Sequence, residues 1–102
     1  MIVIRTKRAI DGFFEVSSYI ASTFGPVALR DFRKRVRECT KIIKARPGAG
    51  RFEWEISSSQ YVYQSILVYR RSWMVYRVEG TTIYIVDFYD TRKSTPSGAQ
   101  YE

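Results

Sequence analysis

The sequence predicts an α+β domain, in which an N-terminal strand and an antiparallel helical hairpin pack on a mainly antiparallel β-sheet. Apolar residues recur at helical spacing through the first half of the chain, Gly25-Pro26 interrupts that pattern, and the second half has the period of two that strands require. The 102 residues, 45% of them hydrophobic, suffice for one domain with a modest core. We expect residues 1–92 to form it and residues 93–102, rich in turn formers, to be a flexible tail.

The first half is expected to contain one strand and two helices. The β-branched run Ile2-Val3-Ile4 is typical of a strand. The apolar face of the first helix is predicted to consist of Ala9, Phe13, Val16, Ile20 and Phe24. Gly25-Pro26 should end that helix and begin the next, because glycine adopts positive φ and proline fits a first helical turn. The seam of the second helix is Leu29, Phe32, Val36, Cys39 and Ile43, and Pro47-Gly48-Ala49-Gly50 should end it.

The second half is expected to be an antiparallel meander. Phe52, Trp54 and Ile56 alternate with charged residues, which predicts a strand with one buried face. A serine turn at residues 57–59 should separate it from strands at residues 61–69, 73–78 and 82–89. The last two of these should form a hairpin around Gly80.

Composition narrows the function classes. The chain has no histidine and one cysteine, so it lacks the residues of Ser/His/Asp or Cys/His catalysis and of the common zinc sites. We expect neither a metal nor a cofactor. Cys39 is expected to be a buried apolar residue in a cytoplasmic protein, and no apolar run approaches the roughly 18 residues that cross a bilayer.

Charge indicates an anionic partner. The net charge is +7, and the second helix is its most asymmetric part. One face of that helix should carry six cations, namely Arg30, Arg33, Lys34, Arg37, Lys41 and Lys44. This face either binds phosphates or an acidic protein segment, or it is simply a solvated helix face, and the sequence favours neither interpretation.

A second basic group is expected at the C-terminal end of the sheet. It consists of Arg70, Arg71, Arg77, Arg92 and Lys93, with Tyr89 beside them. Guanidinium groups and a phenol can neutralise a phosphate and move protons during RNA transesterification without a metal or a histidine. The alternative is a set of edge arginines and a core tyrosine without a catalytic role.

The order of elements resembles the RelE/ParE superfamily of type II toxin–antitoxin toxins. The resemblance covers about residues 1–93 and is carried by Pro47-Gly48-Ala49-Gly50-Arg51, by Val75-Tyr76-Arg77-Val78 before the hairpin turn, and by the ending Phe88-Tyr89-Asp90-Thr91-Arg92. It implies a cytoplasmic toxin that is held by an antitoxin and acts on the ribosome and mRNA or on DNA gyrase.

The chain departs from the pattern of RelE-type nucleases. Gln64 and Ile66 stand where those enzymes have lysines on the central strand, and Trp73 stands where they have an arginine. The departures resemble ParE-type members, so whether the chain is an enzyme stays open. Our sequence-based hypothesis is a toxin that inhibits growth through mRNA cleavage or DNA gyrase. The alternatives are a non-catalytic basic binding module and an inactive toxin homologue.

Overall fold

The computed structural model of the chain describes residues 1–91 and residue 101. Its helices are α1 (Lys7–Phe24) and α2 (Pro26–Ala45), followed by a single 3₁₀ turn (Pro47–Ala49). Its strands are β1 (Ile2–Arg5), β2 (Arg51–Phe52), β3 (Tyr63–Tyr69), β4 (Ser72–Glu79) and β5 (Thr82–Asp90). This confirms the predicted fold class. The predicted tail falls outside the described residues except for Tyr101.

The five strands form one sheet in the order β1-β5-β4-β3-β2. Strand β1 runs parallel to β5, with Ile2 beside Thr82, and every other pair is antiparallel. Two-residue turns join β3 to β4 and β4 to β5, and Gly80 in the second turn has a φ of 59°, as expected for a tight hairpin. The N-terminal strand is therefore tied into the sheet by the last strand of the chain.

Both helices begin and end where their sequence signals lie. Thr6 caps α1, since its hydroxyl accepts a hydrogen bond from the Ala9 amide at 3.2 Å. Gly25 ends α1 with a φ of 90°, and its amide donates to the Ala21 carbonyl at 3.1 Å. Pro26 then opens α2 at the first helical position, where its missing amide hydrogen costs nothing.

The helices cover one face of the sheet, which we call the helix face. There Phe13 stacks on Phe32 with 5.5 Å between ring centroids and meets the ring of Phe88 edge-on at the same distance. These contacts join α1, α2 and β5 in one core. The fully buried residues of the predicted helix seams are Ala9, Val16, Ile20, Phe32, Val36, Cys39 and Ile43. The predicted apolar faces of the helical hairpin are thus confirmed.

The predicted strand through Phe52, Trp54 and Ile56 is wrong. Strand β2 has two residues, and the chain turns after Glu53, whose carbonyl accepts hydrogen bonds from the Ile56 amide and the Ser57 hydroxyl. Phe52 is 49% exposed and Trp54 is 68% exposed. The alternating pattern covers only a few residues. Local hydrogen bonds to the Glu53 carbonyl end the strand after Phe52.

The opposite surface of the sheet, which we call the open face, has its own small aromatic cluster. Tyr63, Val75 and Val86 are buried there, and a bulge in the β4–β5 pairing after Val75 adds Val86 to this surface. Around them lie the half-buried residues Ile56, Tyr61, Tyr84, Tyr89 and Tyr101. Neither described helix is long and apolar enough to cross a membrane.

Candidate functional site on the open face

Tyr76 and Gln64 fix the chain where it enters β2. The Tyr76 hydroxyl donates to the Pro47 carbonyl at 2.7 Å and accepts from the Gly50 amide at 2.9 Å. The side-chain amide of Gln64 donates to the Gly50 carbonyl at 3.0 Å. A Cβ atom on residue 50 would lie 2.6 Å from the Tyr76 hydroxyl, so only glycine fits. This clamp sets the position of Arg51, which follows.

Arg51 is held on the open face by Glu53. The Arg51 Nε donates to a carboxylate oxygen of Glu53 at 2.6 Å, and the same oxygen accepts from the Ser65 hydroxyl. Ser65 is the residue directly opposite Arg51 in the ladder, which places its hydroxyl beneath the ion pair. Arg51 is therefore paired with one carboxylate, although its own side chain is 56% exposed.

Trp73 and Tyr89 complete this group, which we call the Arg51 cluster. They are cross-strand neighbours on β4 and β5. The guanidinium of Arg51 lies 3.9 Å from the Trp73 ring centroid, a cation–π distance, and its charge opposes the rise in the pKa of the Tyr89 phenol. Burial raises the pKa of Tyr89, and the nearby Glu53 carboxylate raises it further. Tyr89 therefore stays protonated at neutral pH.

A second arginine on the open face is engaged in the same way. The Arg77 guanidinium lies between two rings, 5.0 Å from the centroid of Tyr61 and 4.6 Å from that of Tyr84. Its Nε donates to Glu79 at 3.2 Å. Both arginines are thus paired with a carboxylate and packed on aromatic rings.

Asp87 and Tyr101 meet at the edge of the aromatic cluster. The Tyr101 hydroxyl donates to an Asp87 oxygen at 2.7 Å, and its ring packs edge-on against Tyr63 with 5.4 Å between centroids. Burial raises the pKa of the Asp87 carboxyl, while the hydrogen bond from Tyr101 and the charge of Arg8 oppose the rise. Among the described residues, no group of three or more His, Cys, Asp or Glu side chains could hold a metal ion.

Comparison with known proteins shows which solved structure this fold is similar to. No protein-family model matches the chain, and no curated protein matches it by sequence. Among solved structures, the chain is similar to one described as "Chromosomal ParDE TA system from P. aeruginosa". The TM-score is 0.67 at 19% sequence identity, and the match covers 88% of this chain and 95% of that one. The chain has a ParE-like fold.

The ParE-like fold brings some of the predicted site residues together and separates others. Tyr89 lies in the Arg51 cluster. Arg70 and Arg71 form the β3–β4 turn, but the Arg70 guanidinium lies 4.2 Å from the Phe24 ring centroid, at the end of α1 and away from Tyr89. The Arg71 carbonyl accepts from the Thr91 amide at 2.9 Å, so the chain leaves β5 beside Arg71. Arg92 and Lys93 lie outside the described residues.

The six cations predicted on one face of the second helix are all exposed in the ParE-like fold. Lys34 also lines a groove between α2 and the end of β3. Arg30 contacts Asp31 at 3.4 Å. The other carboxylate on the helix, Glu38, pairs at 3.5 Å with Arg35, which is not part of that face. Most of this surface, which we call the basic face, therefore has no ion pair within the described part of the chain. Its role stays a prediction.

Sequence reasoning assigned no role to Arg51, Glu53 and Ser65. Their alternation did indicate that Arg51 and Glu53 share one side of a strand. The sequence contains no signal for the pairing of Arg51 with Ser65, because register between strands depends on the intervening loop of residues 53–62. The nuclease positions Gln64 and Ile66 lie on the helix face, where Gln64 serves the Gly50 clamp.

Proposed function

We propose that this chain is the toxin component of a type II toxin–antitoxin pair. The observation that carries the proposal is the ParE-like fold, which matches a chain of the P. aeruginosa ParDE system over 88% of this chain and 95% of that one. Length, basic charge and the order of elements agree with it. A cytoplasmic location and an antitoxin partner go with this proposal.

We propose further that the toxin acts by binding its target rather than by cutting RNA. Acid–base catalysis of transesterification is most efficient when the acid and the base have pKa values near the working pH. The described open face offers Tyr89, whose pKa is raised, and Arg51, whose charge is engaged by Glu53. Neither group suits proton transfer at neutral pH, which supports DNA gyrase over mRNA as the target. Arg71, Arg92 and Lys93 would then serve as contacts at the end of β5.

The basic face of α2 supports the antitoxin part of the proposal. An acidic, amphipathic segment would complement its exposed cations. If binding of such a segment also buries apolar surface, its affinity should fall less steeply with increasing salt than the affinity for phosphates does.

Induced expression in a bacterium without the partner tests the toxin function. We expect growth arrest that is relieved when the adjacent small acidic reading frame is expressed as well. Tyr89→Phe and Arg92→Ala should weaken the arrest, whereas Lys7→Ala, a change at a side chain that is 93% exposed, should leave it intact. Folded, abundant protein that leaves growth untouched would overturn the proposal.

The two modes of action leave different products. A gyrase poison traps the enzyme on DNA, so purified chain with gyrase and plasmid should yield linear DNA. A ribosome-dependent nuclease should instead yield shortened messages after induction. Cleaved messages together with intact plasmid would contradict the binding-only mode while leaving the toxin function standing.

A further inference from the structure

The segment after β2 carries two exposed aromatic rings that stack on each other. The rings of Phe52 and Trp54 are 4.8 Å apart between centroids and only 8° from parallel. Phe52 is 49% exposed and Trp54 is 68% exposed, the highest exposure of any large apolar side chain in the described residues. One face of this stack is therefore open to a third planar group. The Arg51 cluster does not use either ring.

The stack lies on the helix side of the sheet. Phe52 is directly opposite Gln64, whose side chain lies on the helix face, and cross-strand neighbours project to the same side. Helix α2 covers that side above β3 and leads through the 3₁₀ turn into β2. The C-terminal end of the basic face, with Lys41 and Lys44, is thus joined to the stack by a short, clamped connection.

The charged residues around the Phe52–Trp54 stack favour an anionic ligand. The basic face presents six exposed cations, of which only Arg30 contacts a carboxylate among the described residues. The acidic residues next to the stack in the sequence are Glu53, which pairs with Arg51, and the exposed Glu55. Aromatic stacking platforms beside cations that follow a backbone are the two elements with which proteins bind unpaired nucleic acid strands.

We propose that Phe52 and Trp54, together with the basic face of α2, bind single-stranded nucleic acid. An unpaired base stacks on Trp54, and the phosphates of the same strand lie against Lys41, Lys44 and their neighbours on α2. Duplexes bind less well, since their bases are already stacked. The proposal does not depend on the toxic activity, because the ligand does not contact the Arg51 cluster. It uses the same basic face that an acidic antitoxin segment would cover, so the antitoxin and the nucleic acid should compete for α2.

Fluorescence anisotropy with a labelled 12-nucleotide oligouridine tests the site directly, with a 12-base-pair duplex as competitor. Replacing one stacking residue by alanine typically costs about 5- to 150-fold in affinity. We expect a loss in that range for Trp54→Ala. The matched control is Phe14→Ala, because Phe14 is also an exposed aromatic residue, at 61%, but lies on α1. That variant should bind like the parent.

Two further measurements separate stacking from charge. In a Trp73→Phe background Trp54 is the only tryptophan, so oligouridine should quench its fluorescence as it binds. Lys44→Ala should weaken binding and reduce the slope of log affinity against log salt by about 1. Circular dichroism should show that each variant is folded.

Three results would overturn the proposal. One is no binding of oligouridine at about 50 mM salt, where phosphate contacts are strong. Another is equal affinity for Trp54→Ala and the parent, which would mean a purely electrostatic surface. The third is a parent dimer that Trp54→Ala converts to monomer, which would assign the stack to self-association. Growth arrest is measured separately, so failure here leaves the toxin proposal unaffected.

Discussion

Removing one hydroxyl, with Tyr76→Phe, tests the clamp that positions Arg51. The Tyr76 hydroxyl makes two hydrogen bonds, one to the Pro47 carbonyl at 2.7 Å and one from the Gly50 amide at 2.9 Å. Both Tyr76 and Gly50 are buried, so water cannot easily replace the lost partner. An unsatisfied buried group costs about 1–3 kcal/mol, and relaxation around the 3₁₀ turn should recover part of that for the carbonyl.

We therefore expect Tyr76→Phe to lower the free energy of unfolding by about 2–3 kcal/mol. For a domain of this size that corresponds to a fall in Tm of roughly 10–20 °C. Urea unfolding, followed by circular dichroism, measures the difference. Tyr84→Phe is the control, because its ring contacts Arg77 while its hydroxyl makes no hydrogen bond recorded in the described structure. It should change stability by less than about 0.5 kcal/mol, as surface substitutions usually do.

A loss of less than about 1 kcal/mol in Tyr76→Phe, which is the net value of one ordinary hydrogen bond, would contradict a clamp at this hydroxyl. The same outcome would mean that Gly50 and Pro47 find other partners. It would also remove the argument that this residue holds Arg51 in place.

Three other changes have expected results. Gly12→Ala should destabilise the chain by about 1–3 kcal/mol in urea unfolding, because the new Cβ would lie 2.8 Å from an Asp87 oxygen, and a loss below 0.5 kcal/mol would contradict this packing. The raised pKa of Asp87 means that its protonated form favours folding. That contribution is present below the ordinary aspartate pKa of about 4 and is lost as pH rises through the raised value, so Asp87→Asn should flatten the pH dependence of the urea midpoint above pH 4. An unchanged pH profile would show that Asp87 titrates normally. Burial raises the pKa of the Cys39 thiol, so a thiol reagent should modify it only as fast as the chain unfolds, and rapid reaction of folded protein would contradict its burial.

The helical hairpin could be predicted from the sequence because its signals are local. The apolar seams of α1 and α2 repeat over four or five turns, and Gly25-Pro26 supplies a boundary with a clear stereochemical meaning. The last two strands were also predictable, since a long β-branched and aromatic pattern lies on each side of Gly80. In each case residues within a few positions of one another determine the structure.

The wrong prediction of a strand through Trp54 shows which information an alternating sequence pattern does not contain. Three alternating apolar residues are compatible with a strand, but a strand also requires a partner along its whole length. Strand β3 pairs with Arg51 and Phe52, and the Ser57 hydroxyl then accepts from the Tyr63 amide in place of a strand partner. This replacement of a strand partner by a serine hydroxyl depends on the three-dimensional course of the loop. The alternation of apolar and charged residues does not determine that course.

The candidate site was only partly predictable for the same reason. The sequence places Tyr89 near the end of the last strand, and it does lie in a cluster of interacting polar groups. The charged residues that act on it, Glu53 and Arg51, come from the segment at β2, which is separated from β5 by two strands in the sheet order. Arg70 was expected to join Tyr89 but packs on Phe24, because the positive φ of 49° at Arg70 belongs to a turn whose direction cannot be read from the sequence.

The pairing of β1 with β5 has a consequence for how the chain folds during synthesis. Ile2 pairs with Thr82, so the first strand has no partner until nearly the whole domain has been made. At about 5–20 residues per second this delay is roughly 4–16 s. The helices can form early from local contacts, whereas the sheet that covers their apolar faces closes late. A nascent chain released before residue 82 would therefore expose the face of α1 that packs on β5 and the unpaired edge of β4, and would be a substrate for aggregation or proteolysis.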